Sequence, residues 1–325
     1  MAAKELPKIR AGMGDMEAPA IEAWDDDDYR RATGLGTILS PDGKADRAGV
    51  PALAPEALRE CYRTMLRLRA LDDRARAQGD GGEPAEAAPA TRGCEAAIVG
   101  AVAALEAEDV VVPGRREAGA ALWRGHAVAA LAAGAPIPCA LGVLPGSAHG
   151  ATQLPHAAGI AWAMQMQAKG QPKAPSQAGG AGKTVLAYLD REATSAEDFH
   201  AGLNFAGVFH LPVVFVCIND APRAGGAVET VSETLAVKAL AYGIAGARVD
   251  GSDLFAVFAA TRAAAARARN GEGATLIEAV IAETGDPLPR VRQWLASQNM
   301  LDAAAESALR HEVDAEVAAA LAPAR

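Results

Sequence analysis

Two near-continuous apolar segments, separated by a helical pattern, constrain this chain most. Residues 184–189 read TVLAYL and residues 213–218 read VVFVCI. Short apolar segments without alternation are typical of parallel strands that are buried on both faces. The helical pattern at 196–209 joins them into a strand–helix–strand unit. We therefore expect an α/β fold, in which helices cover both faces of a parallel sheet.

The same alternation continues on both sides of this central unit. Upstream, the patterns predict helices from Pro55 and at about 94–107, 116–124, 126–133 and 155–169, with a short strand at Val110–Val112. Downstream, they predict helices at about 230–242, 252–269, 289–297 and 301–321, and strands at 247–249 and 275–282. We expect residues 1–50 to be a polar, solvated arm that contacts a neighbouring subunit, and residues 51–325 to be a single α/β domain. Ligands of such a domain lie at the carboxyl ends of its strands.

Charge and composition exclude several classes of function. The formal charge of −9 argues against nucleic-acid binding through a global basic field. The uncharged stretch 127–146 is interrupted by glycine and prolines, so we do not interpret it as a membrane span. The first residues lack a signal-peptide core. The four cysteines are far apart, without a CxxC pair. We expect a soluble, cytoplasmic protein with no nucleic-acid or membrane partner.

Several segments, in order, resemble one family. They are RGCEAA at 92–97, VVPGRREAG at 111–119, TQLPHAAG at 152–159, the stretch 190–220 that begins DREATSAEDFHAGLNFAG, and YGIAGARVDGSD at 242–253. Over residues 35–322 the chain resembles the alpha subunit of the thiamine-diphosphate-dependent decarboxylase of 2-oxoacid dehydrogenase complexes, of the pyruvate and branched-chain types.

The resemblance implies a fold, cofactors and partners. The fold is a thiamine-diphosphate-binding domain of the diphosphate-binding type. The cofactors are thiamine diphosphate and Mg²⁺, and the main partner is a beta subunit in an α2β2 assembly. The lipoyl-bearing acyltransferase of the complex is a further expected partner. In the family, oxygen ligands from a Gly-Asp-Gly turn and from an Asn after the next strand hold the metal. A Tyr-Arg pair grips the diphosphate, and a His on a later loop faces the reacting carbon.

This sequence departs from that pattern at the metal. The Gly-Asp-Gly turn falls on Asp190, Arg191 and Glu192, so a cation stands where the family has its metal-binding Asp. The Asn ligand falls on Asp220, which remains a candidate ligand for a divalent metal. Asp190, Glu192 and Asp220 have two open interpretations: a displaced metal site, or solvated carboxylates, which are the commoner explanation.

The diphosphate clamp is partly retained. Its Tyr is replaced by Arg115, while its Arg survives as Arg116. The resemblance adds Arg191, Ala193, Asn219 and Gly150 to the candidate cofactor-binding positions. Arg191 has two open interpretations: a substitute cation in the phosphate site, or a solvated loop residue.

The remaining site positions are mixed. Ser147, Thr152 and Gln153 match the family's potassium-site positions. Ala148, His149 and Gly150 stand where the family has Ser-Pro-aliphatic. The loop that carries the catalytic His is missing, because the segment after residue 282 runs straight into the next helical pattern.

Three hypotheses follow. The one we favour is a non-catalytic alpha-like subunit that acts in assembly with a beta subunit. The alternative is an active subunit that decarboxylates a 2-oxoacid onto a lipoyl carrier with an altered cofactor site. The third is an α/β protein that holds a different small anion on Arg115, Arg116 and Arg191.

Overall fold

A single parallel sheet organises the molecule. The structure is a computed structural model and describes residues 26–45, 49–79, 91–146, 151–169, 182–220, 230–282 and 285–322. In these ranges the strands are β1 (Val110–Val112), β2 (Val185–Asp190), β3 (Val213–Asp220), β4 (Ala245–Asp250) and β5 (Thr275–Ile281). All are parallel, in the order β1-β2-β3-β5-β4. The predicted α/β fold is confirmed.

The helices of the described ranges largely follow the predicted patterns. They are α1 (Asp26–Thr33), α2 (Pro55–Gly79), α3 (Glu95–Ala103), α4 (Ala120–Trp123), α5 (Val128–Ala132), α6 (Gln153–Lys169), α7 (Glu197–Val208), α8 (Leu254–Arg269), α9 (Pro287–Ser297) and α10 (Ala303–Ala320). The segment predicted as a helix at about 230–242 is instead a 3₁₀ helix, Ala236–Tyr242, and α1 was not predicted. The patterns at 94–107 and 116–124 overestimate helix length, because α3 and α4 are short.

Alternate residues of the central strands face two separate hydrophobic layers. Leu186 and Tyr188 of β2 pack in the layer that includes α2, α3 and α8. Ala187 and Leu189 pack in the opposite layer, which includes α6 and α7. Five of the six residues of β2 are therefore buried, and only Asp190 at its carboxyl end is half-buried. Polar side chains of the central strands are consequently concentrated at the strand ends.

The segment 26–45, which we expected to be a polar, solvated arm, is largely exposed but is anchored to the rest of the chain. Leu39 is fully buried, and the amides of Ile38 and Leu39 donate to Asp253 Oδ2 over 2.6 and 2.7 Å. Gly36 continues the edge of the sheet beside β4, where its amide donates to the Arg248 carbonyl. This segment therefore packs against the α/β unit of its own chain. The proposed division of the chain near residue 50 remains a prediction.

Within the described residues, helices that are both long and apolar enough to cross a membrane are absent.

Asp253 tests how the N-terminal segment is attached. Its other oxygen caps α8 by accepting from the amides of Phe255 and Ala256. Asp253→Ala leaves four amide donors without this acceptor, so we expect urea unfolding to show a loss of about 3 kcal/mol. The control is Asp302→Ala, which removes an exposed cap with one hydrogen bond, to Ala305, and should cost about 1 kcal/mol. Equal losses would contradict the double role of Asp253.

Candidate functional site

The candidate site lies at the carboxyl ends of β1, β2 and β3. Parallel strands end at the same edge of a sheet, so residues that are distant in sequence meet there. Asp190 is the last residue of β2 and Asp220 is the last residue of β3. Arg115 and Arg116 follow β1 within a few residues. The predicted cofactor positions of these three segments are thus brought to one edge.

Arg116 and Asp220 form a bidentate ion pair at the centre of this edge. Arg116 Nη1 donates to Asp220 Oδ2 over 2.6 Å, and Nη2 donates to Oδ1 over 3.3 Å. The Arg116 side chain is 11% exposed, whereas that of Asp220 is 40% exposed. Burial by itself disfavours the charged guanidinium, but the hydrogen bonds to Asp220 outweigh it and raise the Arg116 pKa. The cation is the deep member of the pair and the carboxylate is the outer one.

Glu117 is a second carboxylate beside Arg116, and sequence reasoning did not identify it. Its side chain is 1% exposed, and Oε1 lies 3.9 Å from Arg116 Nε. Oε1 has no hydrogen-bond partner among the described residues. Burial raises the Glu117 pKa to about 7, the charge of Arg116 opposes this rise, and Asp190 adds to it. The site therefore includes a carboxyl group that titrates near neutral pH.

Asp190 uses its carboxylate to order the turn after β2. Its Oδ1 accepts from the Ala193 amide over 3.1 Å. Burial raises the Asp190 pKa, and the charges of Arg116 and Arg115 oppose this. Arg115 is exposed, and Arg191 is half-buried at the start of a 3₁₀ helix, Glu192–Ser195. The predicted roles of Arg115 and Arg191 toward an anion stay predictions.

The Asn219 side chain is hydrogen-bonded to a buried glutamate. Its Nδ2 donates to Glu278 Oε1 over 2.7 Å, and Glu278 is 1% exposed in the middle of β5. Glu278 Oε2 accepts from the amides of Leu235 and Ala236, and so fixes the start of the 3₁₀ helix Ala236–Tyr242. The single acidic residue inside the apolar strand TLIEAVI is the sequence signal that could have identified this network.

Lys238 braces the turn between β2 and α7. Its Nζ donates to the Thr194 carbonyl over 2.9 Å and lies 5.6 Å from the centre of the Phe199 ring. The turn after β2, which stands in place of the family's Gly-Asp-Gly, is therefore hydrogen-bonded to the 3₁₀ helix Ala236–Tyr242. Sequence reasoning missed this lysine, since nothing in its local pattern marks it.

The potassium-type positions are only partly described. Gln153 is buried at the start of α6, and its Nε2 donates to the Tyr188 carbonyl over 3.0 Å. Thr152 immediately precedes α6. Ser147 and Gly150, together with His149, lie outside the described residues. A potassium site here remains a prediction.

The metal positions that the resemblance implies are only partly described, and a divalent metal at Asp220 remains a prediction. The described residues contain no group of three or more His, Cys, Asp or Glu side chains that could hold a metal ion. Arg191 occupies the aligned metal-ligand position, and Asp220 is engaged by Arg116. Only residues 282–286 separate β5 from α9, where the family has its His loop. We therefore assign no reaction step to the cofactor in this chain.

Comparison with known proteins identifies the class to which this fold and site belong. A family model described as "Dehydrogenase E1 component" matches residues 138–282. The chain is 34% identical over 306 residues to the 3-methyl-2-oxobutanoate dehydrogenase subunit alpha of Mycobacterium tuberculosis, covering 81% of this chain and 77% of the relative. It is 35% identical over 257 residues to the pyruvate dehydrogenase E1 component subunit alpha of Bacillus cereus, covering 74% of this chain.

The chain belongs to the family of E1 alpha subunits of 2-oxoacid dehydrogenases. Membership confirms the expected resemblance and agrees with the parallel sheet, and the family depends on thiamine diphosphate. The chain spans 64% of the length of the Bacillus cereus relative. The activity, substrate and partners of the whole protein are therefore matters for proposal.

Glu117 predicts a specific pH dependence of stability. Its pKa is about 7 in the folded chain against an ordinary value of 4.5, so the native state binds the proton more tightly. Stability should fall as pH rises from about 4.5 to about 7, by up to about 3 kcal/mol from this group. Glu117→Gln should remove this part of the fall and should stabilise the chain at pH 8. Denaturant unfolding at a series of pH values measures the free energy of unfolding, with the exposed Glu192→Gln as the control. Identical pH profiles for the wild type and Glu117→Gln would contradict the raised pKa of Glu117.

Proposed function

We propose that this chain is an alpha-type E1 subunit that acts in assembly with a beta subunit and does not hold a magnesium-bound diphosphate in the manner of its family. The observation that carries the proposal is the bidentate pair between Arg116 and Asp220. The two residues align with the family's diphosphate-binding Arg and metal-binding Asn. Here each is the partner of the other.

The pair opposes cofactor binding in two ways. A diphosphate that used Arg116 would have to displace Asp220, because both anions require the same two guanidinium nitrogens. A metal that used Asp220 would have to separate its carboxylate from a guanidinium that is 11% exposed. Removing Asp220 from the pair leaves the charge of this buried guanidinium uncompensated, which is costly.

The turn after β2 adds a further obstacle. Magnesium requires hard oxygen ligands, and a guanidinium is a cation without an acceptor. Arg191 therefore supplies repulsion at a position where the family supplies a ligand. The Ala193 amide, which a phosphate would otherwise meet at this turn, already donates to Asp190.

Family membership supports the assembly role. The relatives are named as alpha subunits of multi-subunit dehydrogenases. We infer a beta subunit as the direct partner, in a cytoplasmic α2β2 assembly, and the lipoyl-bearing acyltransferase as a further contact of that assembly. The described residues supply a five-stranded parallel sheet with flanking helices for these contacts.

Calorimetry of cofactor binding tests the proposal directly. We expect thiamine diphosphate to show no magnesium-dependent binding when titrated into the chain together with its beta subunit, because Arg116 and Asp220 neutralise each other. The titration is repeated with chelator. Micromolar binding that requires magnesium would contradict the proposal and favour an active subunit with an altered site. Chelator-independent binding would instead favour an arginine-held anion.

A restoration series tests the physical cause. The triple variant Asp190→Gly, Arg191→Asp and Glu192→Gly rebuilds the family's turn but leaves Arg116 paired with Asp220. We expect magnesium-dependent cofactor binding to appear only when Asp220→Asn is added, since this releases the guanidinium and restores the amide ligand. Calorimetry compares both variants with Asp220→Asn alone. Full binding by the triple variant would show that the ion pair is not the obstacle.

A further inference from the structure

Strand β4 forms one edge of the sheet, and its outer side is only partly paired. The Gly36 amide donates to the Arg248 carbonyl, and the Asp250 amide donates to the Gly36 carbonyl. Alternate residues of a parallel strand direct their backbone groups to the same side, so the amide and carbonyl of Gly246 and the amide of Arg248 also point outward. These three groups have no hydrogen-bond partner among the described residues. The edge can therefore accept a further strand.

An open cleft of about 610 Å³ lies at this edge and is lined by residues of α1, β4 and α8. Its apolar wall consists of small side chains, namely Ala245, Ala247, Ala260, Ala263 and Ala264. Larger side chains at these positions would fill the space beside the strand. Clefts of roughly 300–1,000 Å³ are typical of binding sites in proteins. We call this groove the β4 cleft.

The lining of the β4 cleft is basic, although the chain as a whole is acidic. The charged residues that line it are four arginines and two aspartates: Arg30, Arg31, Arg248, Arg267, Asp27 and Asp28. The whole chain has the opposite balance, with 40 acidic and 31 basic residues. Helix α8 contributes to this difference, because its sequence LFAVFAATRAAAARAR contains arginines but no acidic residue. A partner that is attracted to this part of the surface is therefore negatively charged.

The exposed arginines of the cleft keep donors available for such a partner. In α1, Arg30 and Arg31 pair with the aspartates three residues before them, and in α8, Arg267 pairs with Glu272. Exposed pairs of this kind are weak, and each guanidinium carries five N–H donors. Arg248 differs, since its side chain is 27% exposed and donates to a carbonyl of the N-terminal segment. Carboxylates can thus bind the three outer arginines without breaking a buried pair.

We propose that the β4 cleft binds an acidic peptide segment of a partner protein, which adds to the sheet as an extended strand. The backbone of the segment pairs with the outward groups of Gly246 and Arg248. Alternate side chains of a strand point to opposite sides, so one set packs on the alanine wall while the other carries carboxylates to the outer arginines. In strand addition, the backbone hydrogen bonds supply affinity and the alternate side chains supply specificity.

Two observations favour an extended peptide over a small anion as the occupant. The outward groups of Gly246 and Arg248 follow one another as donor, acceptor and donor, which is the pattern that the backbone of another strand complements. The outer arginines belong to two different helices, α1 and α8, so they do not converge on one anionic group as in a phosphate site. The inference goes beyond the proposed function and is independent of it, because it involves none of the residues around Arg116.

Fluorescence anisotropy with synthetic peptides tests the inference on the purified full chain. The probe is a short labelled peptide of alternating valine and glutamate, with both termini blocked. We expect saturable binding that weakens as the salt concentration rises, because the attraction to the arginines is screened. A peptide with lysine in place of glutamate should not bind. A valine–glutamate peptide with methylated backbone nitrogens should bind far more weakly, since it lacks the donors that pair with the edge of β4.

Matched variants of α8 locate the bound peptide. Ala263 is exposed and lines the cleft, so Ala263→Phe should fill the wall and raise the dissociation constant about tenfold or more. Ala266→Phe is the control, because Ala266 is exposed on the same helix but does not line the cleft. Arg267→Gln should weaken binding and reduce its salt dependence, whereas Arg262→Gln, outside the cleft, should change neither. Circular dichroism checks that all variants fold.

Three results would overturn the inference. Absence of saturable binding of the valine–glutamate peptide to the wild type excludes strand addition of an acidic segment. Equal binding of the lysine peptide or of the methylated peptide excludes recognition by charge or by backbone pairing, respectively. A dissociation constant that Ala263→Phe leaves unchanged, relative to Ala266→Phe, places the peptide outside the β4 cleft.

Discussion

Burial of the central strands on both faces is the constraint on which the rest of this structure depends. It leaves the strand ends as the places where polar side chains of the sheet can gather, and Arg116 is the deep cation there. Around it lie Asp220, Glu117 and Asp190, with Asp220 taking both guanidinium nitrogens. The charge balance of the edge is therefore achieved within the chain. This balance is the physical basis of our proposal that the site does not bind a magnesium-bound diphosphate in the manner of the family.

Buried carboxylates also connect this edge to the surrounding scaffold. Glu278 ties Asn219 of β3 to the start of the 3₁₀ helix Ala236–Tyr242. Lys238 of that helix then reaches back to the turn after β2. Asp253 performs a similar task further along the sheet, where it joins the N-terminal segment to α8. Glu278 and Asp253 each accept from several backbone amides and so tie neighbouring elements together near the strand ends.

Two surfaces of the molecule therefore have contrasting chemistry. The strand-end edge is highly charged but internally paired. The surface of α6 and α7 is built from residues 153–168 and 199–212, which contain no Asp, Glu, Lys or Arg. For an E1 alpha subunit, the first surface is where the family places its cofactor, and the second is suited to close packing of protein against protein.

The sequence by itself determined the fold class, because strands that are buried on both faces require continuous apolar segments that few other structures contain. It also marked Arg116, Arg191 and Asp220 through their positions in the family pattern. It did not reveal that Arg116 and Asp220 bind each other, since they are 104 residues apart and only the parallel pairing of β1 and β3 with β2 brings their segments together.

Tertiary structure alone decided how polar groups are distributed around the sheet. Glu117 reads locally as one more charged residue after two arginines, and its burial in the folded chain, with a smaller contribution from Asp190, raises its pKa. The sequence predicts a solvated arm for residues 26–45, because the groups that bind this segment lie more than 200 residues away. These groups are the Asp253 carboxylate and the Arg248 carbonyl. Local composition records which residues can be buried. The three-dimensional packing of distant segments decides which polar groups have hydrogen-bond or ion-pair partners, and which residues those partners are.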